Sequence, residues 1–454
     1  MIQRFRMFAP LAMLAIVLTA CPASTTPSES AGGGGGGSST APGSSDGAAA
    51  GGSIEVTSLW GGAEADAFQA VLDAFSAESG IEVTYTSQRQ DYATVLNNRL
   101  EQSDPPDVAI IPGIGFLRSF ARDDLLVPLS DLGIERDAIE GNYPPGLVDI
   151  GVVDDELYAL VVKLNSKATV WYKPDSFDEQ GFEVPADFAD LIQITEDYKA
   201  AGLTPWAVGA LDSWTLTDWF EIIYLHQAGE EAYDTLFSAD GNWSDQSVVD
   251  AIDTMTQIIN NDNVAGGIDG ALATGFVDGI GLVFGENASA EMYYEGGFVG
   301  GIAAGDVNPA LADQLGTGID FFDFPTVDGN GAGAITIGGD VIAAFTDNPG
   351  VAEFMQYMTT PEAGATWAAG GTIISPLKGV ESSVYEDVNV LAAKEAEQVA
   401  NATAVRFDGS DLLPAGTDLG AVLQAAIQDP SSAGSALEGF QSEVDAAWAD
   451  STGG

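Results

Sequence analysis

Positions 54–59 read as a strand, and positions 81–85 alternate apolar and polar residues with the period of a half-buried strand. Between them Ala67, Phe68, Val71, Leu72 and Phe75 fall at helical spacing, which predicts a helix over 63–79 with Gly80 as its stop. A second helix is predicted over 92–102. A short apolar strand over 107–111 follows Pro105-Pro106. This strand–helix–strand–helix–strand order indicates an α/β fold with a largely parallel sheet. Further strands are predicted over 157–162 and 168–172, and helices over 188–200, 213–226, 230–237 and 246–260. Strand pattern returns over 317–321 and 334–345. Helices then follow near 351–358, 362–368, 391–401, 419–427 and 433–449. No internal repeat is visible.

The first 53 residues have a different texture. Arg4 and Arg6 precede an apolar run over 7–17 that is too short to span a bilayer, for which about 20 apolar residues are needed. Residues 1–20 therefore read as a secretory signal. The tetrad Leu18-Thr19-Ala20-Cys21 resembles the lipobox of bacterial lipoproteins, a resemblance that implies cleavage before Cys21 and a diacylglyceryl thioether on it. Cys21 is the chain's only cysteine. Residues 22–53 consist of Pro, Ala, Ser, Thr and Gly with little else, including six consecutive glycines over 32–37, and read as a tether. The expected location is the outer face of the cytoplasmic membrane, held by the lipid.

Composition narrows the chemistry. With 454 residues, two domains or lobes are expected. One cysteine allows no intramolecular disulfide and no Cys-based zinc site, and the single histidine, His226, excludes His-pair metalloprotease motifs. No metal and no cofactor is expected. The 68 Asp and Glu against 14 Lys and Arg give a net charge of −54. Without Arg4 and Arg6 the mature chain keeps 12 basic residues (14 − 2). Such a surface repels nucleic acid phosphates and anionic lipid. The acids are spread along the whole chain, as in proteins of a saline habitat, where counterions screen their repulsion. An acidic site for a polycationic ligand is the other reading.

A series of short motifs carries a family likeness. Leu59-Trp60-Gly61-Gly62 precedes a helix that holds Phe68, Phe75, Glu78 and Gly80. Pro105-Pro106-Asp107-Val108 leads to Ile110-Ile111-Pro112-Gly113. Tyr158-Ala159-Leu160 precedes Lys163-Leu164-Asn165-Ser166-Lys167 and Val170-Trp171-Tyr172-Lys173-Pro174. Gly181-Phe182-Glu183-Val184-Pro185, Thr204-Pro205-Trp206 and Leu216-Thr217-Asp218-Trp219 follow in order. Met292-Tyr293-Tyr294-Glu295-Gly296-Gly297-Phe298, Gly338-Gly339-Asp340 and Phe407-Asp408-Gly409-Ser410-Asp411 complete the set. By their number and order these stretches resemble family 1 extracellular solute-binding proteins, the sugar-binding subunits of ABC importers, and among them the branch for alpha-glucosides. The resemblance implies a two-lobed, periplasmic-binding-protein-like fold with crossover strands as hinges and a ligand cleft between the lobes. It places lobe 1 at 54–160 plus 335–370 and lobe 2 at 161–334 plus 371–454. It also implies capture of a mono- to oligosaccharide, delivery to the permease subunits, a monomeric state and no catalysis.

A sugar offers rim hydroxyls and apolar faces, so its site needs aromatic platforms beside planar polar groups. Trp60 stands at the C-terminal end of the first strand, the edge at which open α/β sheets bind ligands, and is either a cleft residue or a core residue under that loop. Glu64 follows in the first helical turn, where it is either a ligand contact or a helix N-terminal charge. Trp206, Trp214 and Trp219 lie within 14 residues, with Asp218 beside them. Lys163, Lys167 and Lys173 cluster in a chain poor in cations, either as a neutralising salt-bridge cluster or with Lys163, Asn165 and Lys167 donating to hydroxyls. Arg406, Asp408 and Asp411 form a mixed patch. Tyr294, Glu295, Gly297 and Phe298 offer aromatic rings, a carboxylate and exposed N–H groups. Gly339 and Asp340 open a strand whose glycines allow close approach. Trp171, Trp243, Trp367 and Trp448 are expected to pack.

Three other readings remain. Tyr293-Tyr294 with Glu295 resembles the tyrosine pair of ferric-ion binders, and acids with aromatics also suit a polyamine. A secreted carbohydrate-active enzyme needs only a carboxylate pair, but no phosphate loop or Gly-x-Ser-x-Gly elbow is present.

Overall fold

The computed structural model describes residues 52–452, apart from Pro112, Pro145, Ser382, Asp387 and Val388. The expected signal segment 1–20, Cys21 and all but the end of the expected tether lie outside the described residues. Ser53 already belongs to the first strand.

Twelve strands follow among the described residues. They are β1 (Ser53–Ser58), β2 (Glu82–Ser87), β3 (Val108–Ile111), β4 (Val152–Val153), β5 (Glu156–Leu157) and β6 (Ala159–Ser166). The rest are β7 (Thr169–Tyr172), β8 (Trp206–Ala207), β9 (Met292–Glu295), β10 (Asp320–Asp323), β11 (Ala334–Ala344) and β12 (Ala404–Phe407). The first sheet runs β12-β11-β3-β1-β2, with β6 also paired to β11. The second runs β10-β7-β9-β8, and β4 with β5 forms a small hairpin. β1 is parallel to both β2 and β3, the pairing expected of strands joined through helices. The helix Ala63–Ser79 between β1 and β2 buries Phe68, Val71, Leu72 and Phe75, and it ends at Gly80, whose φ of 75° is left-handed. The helix Phe188–Ala200 has the predicted bounds, and Asp187 caps it by accepting from the Asp190 N–H.

β6 and β11 form a long antiparallel ribbon that carries the chain between the two sheets. Its register shifts between Asp340 and Val341. A bulge there bends the ribbon and re-aims the Asp340 side chain. β6 leads through Lys167 and Ala168 into β7, and the chain returns from β10 into β11. His226 ties the return to its surroundings. Its Nε2 donates to the Ala334 carbonyl at 2.9 Å, and its Nδ1 accepts from the Val327 N–H at 3.3 Å. Burial lowers its pKa, so it sits there as the neutral imidazole.

The sequence pattern left several elements unread. The helix Ile114–Arg122 starts directly after a strand, where no polar break separates the two patterns. β9 lies buried at all four positions and shows no alternation. β12 is a four-residue edge strand.

Candidate functional site

A cleft of about 640 Å³ opens along the β6/β11 ribbon. Alternate residues of β6 share a face, which places Lys163 and Asn165 on the cleft wall, and Lys167 lines it from just past the strand's end. Gly338, Gly339 and Asp340 line it from β11. Gly338 leaves room for the lysine, since a Cβ there would fall 2.5 Å from Lys167 Cε. The loop after β1 adds Trp60, the first turn of the helix Ala63–Ser79 adds Glu64, and the loop after β2 adds Arg89 and Asp91. The second-sheet side supplies Asp212 and Trp214, the segment from Gly275 to Asp278, and Phe298. Asp408, Ser410 and Asp411 close the floor.

Three aromatic rings make one wall. Trp214 meets Phe276 edge-on at 5.2 Å and Phe298 at 6.1 Å, and Phe276 meets Phe298 at 6.1 Å. Trp214 is 36% exposed, so much of its ring is free to be covered. Trp60 faces this wall from the first sheet, packed edge-on against Phe68 and Trp367 at 5.0 Å each. Its Nε1 donates to Asp340 at 2.9 Å.

Both cleft lysines are buried and paired. Lys163 Nζ lies 2.6 Å from Glu64 and 3.5 Å from Asp340. Lys167 Nζ lies 2.7 Å from Asp218 and 3.6 Å from Asp408. It also sits 4.8 Å over the Trp214 ring. Burial alone would lower their pKa values, but for Lys163 the charges of Glu64 and Asp340 outweigh it, and for Lys167 those of Asp218, Asp408 and Glu295 do. Loss of hydration pushes the Asp218 carboxyl up to about 6 against the pull of Lys167. Loss of hydration and the neighbouring Asp408 push Asp411 well above the carboxylate range.

The two sides also touch at the rim. Asp306 accepts from the Ala63 N–H at 2.9 Å, at the start of the helix Ala63–Ser79, and lies 3.9 Å from Arg89. Arg89 spans the opening 5.4 Å over the Phe276 ring.

Several residues singled out from the sequence lie elsewhere. Trp206 and Trp219 are buried and pack edge-on against each other at 5.3 Å, because the strand β8 and the inner face of the helix Trp214–Ala228 point them into the core. Trp206 Nε1 donates to Thr195 there. Asp218 lies beneath the floor and reaches the cleft only through Lys167. Glu295 is fully buried. Gly297 packs against Glu395, where a Cβ would fall 1.9 Å from the carboxyl carbon. Arg406 points to the surface and pairs with Asp234 at 2.6 Å and Glu230 at 2.9 Å. Lys173 pairs with Glu291 at 2.9 Å. Tyr294 donates its hydroxyl to the Lys167 and Asp218 carbonyls, and Tyr293 donates to the Phe276 carbonyl, so neither phenol is open to a metal. Among the described residues no group of acids and His is arranged to hold a metal ion.

Phe276, Arg89, Asp91, Asp212 and Asp278 line the cleft without having been singled out. The scarcity of cations that drew notice to the lysines applies equally to Arg89. Phe276 has no such signal, since a phenylalanine opening a short apolar helix reads as core.

Glu395 ties the ribbon's end to the neighbouring helix by accepting from the Ser166 N–H at 2.7 Å and from Asn165 at 3.3 Å. Burial pushes its carboxyl up to about 7. A carboxyl raised from about 4.3 when unfolded lends stability that is complete at low pH and lost as pH rises through the folded value. Glu395→Gln is therefore expected to lessen the fall in denaturation midpoint on going from mildly acidic to mildly alkaline buffer. Equal falls in both proteins would refute this role.

Residues 61–365 match the family model described as bacterial extracellular solute-binding protein. The osmoprotective compounds-binding protein GgtB of Synechocystis is 30% identical over 364 residues, 79% of this chain and 84% of that one. The alpha-glucosides-binding periplasmic protein AglE of Rhizobium meliloti is 29% identical over 379 residues, 80% of each chain. The bacterial solute receptor AcbH, whose solved structure is described with a preference for β-D-galactopyranose, superposes with a TM-score of 0.75 at 21% identity, covering 87% of this chain and 98% of that one. The maltose-bound MalE3 of T. maritima gives 0.69 at 17% identity, covering 87% and 99%. At these identities the structural likeness is one of fold, and that fold is the two-lobed one.

Proposed function

The chain belongs to the bacterial extracellular solute-binding proteins, a family of non-enzymatic transport components, and from that membership and the cleft's chemistry we propose that it captures a small sugar, an alpha-glucoside among the candidates, for an ABC importer. The observation that carries this reading is the pairing of Trp214, Phe276 and Phe298 with the planar polar groups of Asn165, Asp340 and Asp411 in one cleft. Rings cover the apolar faces of a sugar, and fixed polar groups meet its hydroxyls. The volume is within the range of small-molecule pockets, about 300–1,000 Å³. The relative that binds alpha-glucosides supports the same class.

The lobes are assigned as 54–160 plus 335–370 and 161–334 plus 371–454, with the ribbon as hinge. Ligand favours closure because it touches both sides, Trp60 and Asp340 on one and Trp214 on the other. The closed monomer then docks on the permease. Export by the segment 1–20 and a lipid on Cys21 keep the receptor beside that permease.

The charge of the cleft restricts the ligand further. Glu64, Asp91, Asp212, Asp278, Asp340, Asp408 and Asp411 face only Arg89, Lys163 and Lys167, seven acids to three bases. A neutral sugar is accommodated, an anionic one is repelled, and the excess favours a polyamine as the second reading. A thermal-shift screen of mono-, di- and oligosaccharides at high salt, with putrescine and ferric iron included, separates these. A shift with neutral sugars supports the proposal, and a shift with putrescine alone replaces it. Trp214→Ala is then expected to weaken sugar binding by about 30-fold, the scale of a 2 kcal/mol contact. Its melting temperature should stay near that of the parent, because the residue is already partly exposed in the folded protein. Unchanged affinity would remove Trp214 from the site.

A further inference from the structure

Beneath the cleft floor, Glu295 closes β9 with no exposed surface, and neither of its carboxyl oxygens has a formed hydrogen bond. The Asp218 carboxylate on the facing helix lies within its hydrogen-bonding reach. Asp218 in turn accepts from Lys167 Nζ at 2.7 Å. Two ionised carboxylates in contact, with Asp408 also 3.6 Å from the same ammonium, would leave one cation among three buried anions. Such an excess of buried charge is costly unless a proton removes it. We propose that Glu295 is a positioning residue: held as a neutral acid, it donates its proton to Asp218 and so keeps the Lys167 ammonium aimed at the cleft.

The surroundings agree on which partner holds the proton. Burial and then the charge of Asp218 push the Glu295 carboxyl well above its ordinary range, whereas Lys167 restrains the rise of Asp218. Asp408 adds negative charge around Asp218, burial pushes the nearby Glu221 carboxyl well above its ordinary range, and burial keeps the flanking Tyr293 and Tyr294 neutral. Lys167 and the Gly296 N–H favour ionisation of Glu295 and are outweighed. Glu295 thus acts on the ligand without touching it.

The proposal rests on the reading that Lys167 faces the ligand, so its test has one arm without ligand. Infrared spectra of the whole protein at neutral pH are expected to show a protonated-carboxyl band that is missing in Glu295→Gln. An identical band in both proteins would overturn the proposal, whatever the protein binds. In the second arm, Glu295→Gln keeps a donor for Asp218 and should retain affinity for the sugar found by the screen. Glu295→Met should lose about tenfold, the scale of a hydrogen bond to a charged group. Parent affinity should fall at alkaline pH while that of Glu295→Gln stays level. Parallel pH profiles would overturn the positioning role even if Glu295→Met fails to fold. If no sugar binds any variant, the functional reading fails and the infrared arm still decides the proton.

Discussion

Lys167→Met is expected to lose about 3–5 kcal/mol of stability near neutral pH, the cost of removing one partner from a buried ion pair. The Lys167 side chain is 11% exposed and that of Asp218 1%. Methionine fills much the same space, so the loss is electrostatic. Asp218 and Asp408 would face each other with no cation between them, and water cannot reach Asp218 to replace it. The deficit should shrink in mildly acidic buffer, because the orphaned carboxyls then take up protons. Lys167→Met combined with Asp218→Asn should be milder than Lys167→Met alone, since both ends of the pair are then neutral. Denaturant titrations at the two pH values check this. A single variant as stable as the parent in alkaline buffer would mean that the pair is not buried as described. The corresponding change at Lys163 should cost less, because its partner Asp340 is 24% exposed and can be rehydrated.

Trp60→Ala is the second large effect. Trp60 is 3% exposed, and its ring holds Phe68 and Trp367 in an edge-on cluster under the first loop. Deleting a buried tryptophan costs about 3–5 kcal/mol, in lost transfer energy and in the cavity left behind. The same change removes the hydrogen bond to Asp340 and one wall of the cleft, so affinity should fall with stability. Trp60→Phe separates the two. It keeps most of the packing and gives up the Asp340 bond, worth about 1 kcal/mol, or somewhat more to a charged acceptor. Its stability should stay near that of the parent while affinity declines. If Trp60→Ala melts with the parent, the ring is not part of the core. If it melts early yet binds equally well once folded, Trp60 is core alone and leaves the list of cleft residues.

These two residues also show how much of the site was legible. The sequence reading of Trp60 left open whether it belonged to the cleft or the core, and the structure uses it for both, lining the cleft while it packs on Phe68 and Trp367. Lys163 and Lys167, with Asn165 between them, were legible because cations are so few in this chain. Trp206, Trp214 and Trp219 were not separable, since their chemistry is the same and only the local backbone turns Trp214 outward.

What the sequence determined by itself is most of the local elements. Strand and helix periods, the left-handed stop at Gly80 and the Asp187 cap are short-range physics, set by backbone geometry and by which face must be buried. Residue scarcity added the lysines. Tertiary structure alone decided the cleft as a whole. It brought Arg89 over Phe276 and Trp60 against Asp340, pairs separated by 187 and 280 positions. It also decided which carboxylates are buried deeply enough to keep a proton. Hydration and neighbouring charge set that property, and neither is a function of sequence spacing.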